Sequence, residues 1–147
     1  MSSKEKILKN IKKNILKKVP LKNIELTPIT FEKPLEEFIK NFLASGGKLT
    51  KTPTDIMIEG VFGVAENGAV LLKEVEDRKD YTYHESITIK LNQNSILNNM
   101  HEAYKNLKIK NFALFMAGPS KTADIEQSLV IGAHGAKRCF LYLYKES

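Results

Sequence analysis

From residue 86 to residue 144, short apolar runs alternate with amphipathic ones, and that alternation restricts the fold more than any other feature of the chain. Residues 87–91, 112–117 and 139–144 read as strands. Residues 95–107 place Ile96, Leu97, Met100, Tyr104 and Leu107 at helical spacing. Residues 121–132 continue a helical pattern out of a Gly-Pro-Ser loop. The resulting order, β-α-β-α-β, predicts an α/β fold: a mostly parallel sheet flanked by helices. Upstream, residues 55–59, 61–65 and 69–73 read as short strands, and residues 74–85 as a charged loop. Asn67-Gly68 between two apolar runs signals a hairpin, because both residues tolerate positive φ.

Ahead of this region the composition changes. Residues 4–18 set Ile7, Leu8, Ile11, Ile15 and Leu16 on one helical face among lysines. That pattern predicts an amphipathic helix docked on the body or on a partner. A membrane-surface or nucleic-acid arm is the alternative, but the helix holds no aromatic to anchor it at a bilayer. Pro34, Glu36 and Glu37 suit the first turn of a second helix. Leu35, Phe38, Ile39, Phe42 and Leu43 form its apolar face, and Gly46-Gly47 ends it. The chain therefore divides into a basic N-terminal helix (1–22), a linker with a second helix (23–53) and an α/β domain (54–147), packed as one unit.

Charge and cysteine content exclude several classes. The net charge is +6 over 147 residues, yet residues 1–22 alone carry +7, leaving the remaining 125 at −1. A nearly neutral body argues against a nucleic-acid-binding domain. One cysteine, Cys139, allows neither an internal disulfide nor a four-cysteine iron–sulfur or zinc site within this chain. No apolar run approaches the ~20 residues of a membrane span, and no signal peptide is recognisable, so a cytoplasmic location is expected.

The candidate chemistry concentrates in residues 118–135, GPSKTADIEQSLVIGAHG. Gly118, Ser120, Lys121 and Thr122 follow a strand and open the predicted helix, where free backbone N–H groups favour an anion. An anion site and a plain helix cap are both open there. The run is not a phosphate-cradling P-loop, since the second glycine is missing and Pro119 removes a donor. Asp124 and Glu126 fall in the first turns, where acids suit the helix dipole; two residues apart, they do not form a dyad. A helix of about 12 residues, ~18 Å long, would separate Ser120 from His134 and Gly135, setting them at opposite ends of the sheet. Glu66, exposed beside Asn67 and Gly68, is a weak catalytic candidate as nucleophile or base. His84 and His101 match no metal-ligand spacing, and no metal is expected. Cys139 reads as a buried small hydrophobe.

The same run, followed by Lys137-Arg138 and an apolar strand, resembles the LutC/YkgG family of lactate-utilization proteins, whose unit is the LUD domain. GVAENGAVLL from Gly63 and NNMHEAY from Asn98 agree with it in order and spacing, so the resemblance covers roughly residues 54–144. It implies a fold like the NagB/RpiA/CoA-transferase group. It also implies a role in oxidising L-lactate to pyruvate alongside partner subunits that carry iron–sulfur clusters, with no cofactor on this chain. The implied ligand-binding positions are Glu66, Asn67, Gly68, Gly118, Ser120, Lys121, Thr122, Asp124, Glu126, His134 and Gly135. A small anionic ligand and a homo-oligomer are compatible with this reading. The alternative is a free-standing CoA-transferase-like or sugar-phosphate-isomerase-like enzyme using Glu66.

Overall fold

Ser2 and Glu5 open the first helix as a reciprocal cap: the Ser2 N–H donates to Glu5 Oε2 (2.6 Å) and the Glu5 N–H to Ser2 Oγ (3.3 Å). A computed structural model describes residues 2–13, 27–53, 56–74, 77–108, 112–123, 129–132 and 134–146. The helix α1 runs Ser3–Lys13, and residues 14–18 of the expected helix lie outside the described residues. Of the two dockings expected for it, on the body or on a partner, the first is not made by its described apolar side chains. Ile7, Leu8 and Ile11 are 59%, 47% and 62% exposed. Deleting residues 2–13 should therefore shift the thermal midpoint by no more than about 2 °C. A drop beyond about 5 °C in a melting experiment would mean that α1 is packed in solution.

The helix α2 (Pro34–Ala44) starts on its proline, with Glu36 and Glu37 in the first turn. Phe38 and Phe42 are fully buried, their ring centroids 6.2 Å apart. Leu43, expected on the apolar face, is instead 44% exposed.

The main sheet has seven strands. They are β1 (Lys48–Leu49), β2 (Met57–Val64), β3 (Ala69–Leu72), β4 (Ser86–Asn92), β5 (Ile96–Leu97), β6 (Leu114–Met116) and β9 (Arg138–Tyr144). The order is β1-β9-β4-β2-β3-β6, with β5 also pairing β2. The β1–β9, β9–β4, β4–β2 and β2–β5 pairs are parallel. The β2–β3 hairpin and the β3–β6 pair are antiparallel. The sheet is thus mostly parallel, as the alternation predicts.

Both faces receive a helix. Val70 and Leu72 of β3 join Phe38 and Phe42 of α2, with Ile87, Ile89, Leu91 and Leu141. Leu71, pointing the other way, joins Phe62, Val64 and Ala103 of the helix α3 (Met100–Asn106). Burial of these side chains drives the assembly, at about 25 cal/mol per Å² of apolar surface. No described helix is long and apolar enough to cross a membrane.

The two strands expected over residues 55–65 are one, β2, with an irregularity in register between Gly60 and Phe62. The loop expected over 74–85 contains a 3₁₀ turn, Arg78–Tyr81, started by the Asp77 side chain accepting from the Lys79 N–H. The helix expected over 95–107 begins only at Met100. Asn99 caps it by accepting from the Glu102 N–H (2.9 Å), while Ile96 and Leu97 extend to pair with Gly63 and Val64. Tyr104, expected to face inward, is 66% exposed.

The helix expected over 121–132 is absent from its described residues. β7 (Lys121–Ala123) and β8 (Leu129–Ile131) instead form an antiparallel pair. Thr122, Val130 and Ile131 are β-branched, which suits a strand better than a helix. The chain from residue 86 therefore reads as six strands and one helix among the described residues.

Candidate ligand cleft

The C-terminal end of α2 is the base on which the motif loops rest. Asn41 Nδ2 donates to the Ala65 carbonyl (2.7 Å), tying the helix to the end of β2. Gly68 (φ 69°) turns the hairpin there, its α-carbon facing the α2 backbone at Asn41 and Phe42. Asn67 steadies the turn by accepting from the Ala69 N–H (3.0 Å). Gly118 (φ 80°) packs on the far side of the same helix end: a Cβ added there would lie 2.7 Å from the Ser45 carbonyl oxygen. Lys121 Nζ donates to that carbonyl (2.5 Å), which the helix itself leaves without a partner. The lysine expected to attract an anion thus holds a helix end.

Glu66 has a structural task. Its carboxylate accepts the Met100 N–H (2.9 Å) at the start of α3, and its own N–H donates to the Asn98 carbonyl. It lines neither lobe of the cleft that Ser120 and His134 share.

Because Lys121–Ala123 and Leu129–Ile131 pair as antiparallel strands, Ser120 meets Gly132, Gly135 and Ala136 instead of lying ~18 Å from them. The Ser120 N–H donates to the Ala136 carbonyl (2.9 Å), and the Ser120 carbonyl accepts the Gly132 N–H (3.0 Å). Gly135 leaves room for the serine, since a Cβ there would lie 3.0 Å from Ser120 Cβ. Ser120, His134 and Gly135 line one cavity of about 260 Å³ with Tyr81 and Thr82. Thr82, His134 and Gly135 also line a second cavity of about 470 Å³, with His84, Glu85 and Lys137. The shared residues make these two lobes of one cleft. The cleft is open to solvent, with Thr82, Glu85, His134 and Lys137 exposed along it.

Its polar groups suit an anion. The side chains of Thr82, His84, Ser120, His134 and Lys137 make no hydrogen bond or ion pair among the described residues. All can donate a hydrogen bond, and Lys137 is a cation. The acid in the wall, Glu85, lies 3.7 Å from Arg138. Among the described residues no group of His, Cys, Asp and Glu could hold a metal ion.

Behind the cleft, Cys139 is 2% exposed. Burial pushes its thiol from 9.0 up to about 12, with a hydrogen bond from the Gly118 backbone acting the other way. Between those values the native state keeps a proton that the unfolded chain has lost. Stability from this group is therefore full below pH 9, declines as pH rises and is lost through pH 12. The limit is roughly 4 kcal/mol, at about 1.4 kcal/mol per unit. The Cys139→Ala variant should show a shallower alkaline loss of stability in denaturant titrations between about pH 9 and 11. Rapid labelling of the native thiol at neutral pH would contradict its burial.

Of the positions singled out from sequence, Ser120, His134 and Gly135 come together in the cleft, and Gly118 lines its smaller lobe. Thr122 pairs with Val130 outside it, and Lys121 caps α2. Glu66, Asn67 and Gly68 form a separate corner, while Asp124 and Glu126 lie outside the described residues. Sequence reasoning missed Thr82, His84 and Lys137. The parallel register Ser86↔Arg138 sets residues 84 and 85 beside the turn that precedes β9, and no local spacing signals it.

A family model for the LUD domain matches residues 49–144, nearly two thirds of the chain. The chain belongs to the LUD-domain family. Every ligand-binding position expected from sequence falls within the matched LUD region, whereas α1 and α2 precede it. Among solved structures, the LUD chain is similar in fold to a DUF162 family protein from Deinococcus radiodurans. The TM-score is 0.50 and the identity 10%, covering 79% of this chain and 99% of that one. No curated protein matches the sequence.

Proposed function

We propose that this LUD-domain chain is a LutC-like accessory subunit of a cytoplasmic iron–sulfur system that oxidises L-lactate to pyruvate. Its cleft would hold an organic anion for that system. The observation that carries the reading is that Ser120 and His134, both inside the LUD-domain match, line one anion-suited cleft.

Oxidising a 2-hydroxy acid to a 2-oxo acid releases two electrons and two protons. With one cysteine, this chain alone does not supply the four thiolates of an iron–sulfur cluster that would receive those electrons. Partner subunits rich in cysteine would take them, and this chain would contribute binding and positioning.

Affinity purification of the full chain from cells grown on lactate tests the reading. Recovery of cysteine-rich iron–sulfur proteins, with impaired growth on lactate after deletion, is the expected result. Failure to recover them, together with normal growth on lactate, would overturn it.

A further inference from the structure

The two lobes of the cleft differ in chemistry. The larger, about 470 Å³, offers His84, His134 and Lys137 as donors, with Thr82 between the lobes. The smaller, about 260 Å³, is lined by Tyr81, Leu114, Met116 and Pro119, with Ser120 and His134 among its polar groups. A three-carbon hydroxy acid displaces only roughly three waters, ~90 Å³. Both lobes open to solvent, and a molecule of that size held by His84, His134 and Lys137 would leave the smaller lobe to water. Well-matched pockets bury most of their ligand and place a few polar groups against one end of an apolar body.

We infer that the cleft takes an organic anion larger than lactate. Its carboxylate or phosphate lies against His84, His134 and Lys137, and its apolar body, a ring or short hydrocarbon, lies against Met116 and Tyr81. The inference rests on the reading of the cleft as a ligand site. Charge complementarity selects the head group: Lys137 is unpaired among the described residues, while the wall's acid, Glu85, faces Arg138 at 3.7 Å. Thr82 and His134, common to both lobes, would bracket the junction between head and body.

Calorimetric titration of the full chain with L-lactate, 3-phenyllactate and phenyl phosphate tests it. The first two probes share one head group and differ by a ring. 3-Phenyllactate should bind at least about tenfold more tightly than L-lactate, a gain of ~1.4 kcal/mol. The tighter of the two ring-bearing probes identifies the head as carboxylate or phosphate. Lys137→Gln, at an exposed position, should weaken lactate and phenyllactate by a similar factor. Ala117→Trp, also at an exposed position, should fill the smaller lobe and abolish only the ring's advantage. Equal affinities for lactate and phenyllactate would overturn the two-part ligand and leave the anion site standing. No heat with any probe up to about 10 mM would overturn both.

Discussion

Gly68→Ala is expected to destabilise the protein by at least about 3 kcal/mol. Two costs combine. At φ 69° an L side chain occupies the left-handed region, a penalty of ~1–2 kcal/mol. The new Cβ would also run into the backbone nitrogen of Phe42 and lie 2.6 Å from the carbonyl carbon of Asn41. These are main-chain atoms of α2, so no side-chain rotation relieves the collision. The helix must move away from the hairpin, and the 2.7 Å bond from Asn41 to the Ala65 carbonyl is lost with it. A net hydrogen bond of that kind contributes ~1 kcal/mol. Urea titrations of the two proteins measure the difference, and a loss below about 1 kcal/mol would contradict the contact.

Phe42→Ala should cost a further-reaching 3–5 kcal/mol, the usual range for deleting a fully buried aromatic, roughly. The ring is 0% exposed and faces Phe38 at 6.2 Å. It also fills the space that Gly47 leaves free, since a Cβ on Gly47 would collide with it. Gly47 belongs to the turn on which Gly118 rests, and Lys121 grips the same turn through Ser45. Loosening that turn should therefore weaken anion binding in whatever fraction stays folded. The two consequences are read separately, by denaturant titration and by ligand titration in its native baseline. A destabilised variant with unaltered affinity would show that α2 does not position the Gly118 loop.

Where local chemistry decides an element, the sequence was readable. Pro34 and the i, i+4 pair Phe38 and Phe42 announced α2, and Asn67-Gly68 announced the β2–β3 hairpin. Apolar runs announced β4 and β9. Residues 118–135 behaved differently: their wording identified a family, yet their periodicity suggested the wrong element. β7 and β8 are three residues each, too short for a period of two to stand out against a helical pattern. Residues 96 and 97 failed for the same reason, being extended only by pairing with β2. Helix length then placed Ser120 and His134 far apart, so the error in one element hid the cleft. Its remaining wall, at His84 and Lys137, depends on the pairing of β4 with β9 across about fifty residues of sequence.

Backbone-amide chemical shifts of the full chain, followed while L-lactate is added, test the assignment of the cleft most directly. Movement is expected at His134, Gly135 and Lys137, and at His84 across from them, with Glu66, Asn67 and Gly68 unchanged. Shifts confined to residues 66–68, or none at His84, His134 and Lys137 up to about 10 mM lactate, would contradict it.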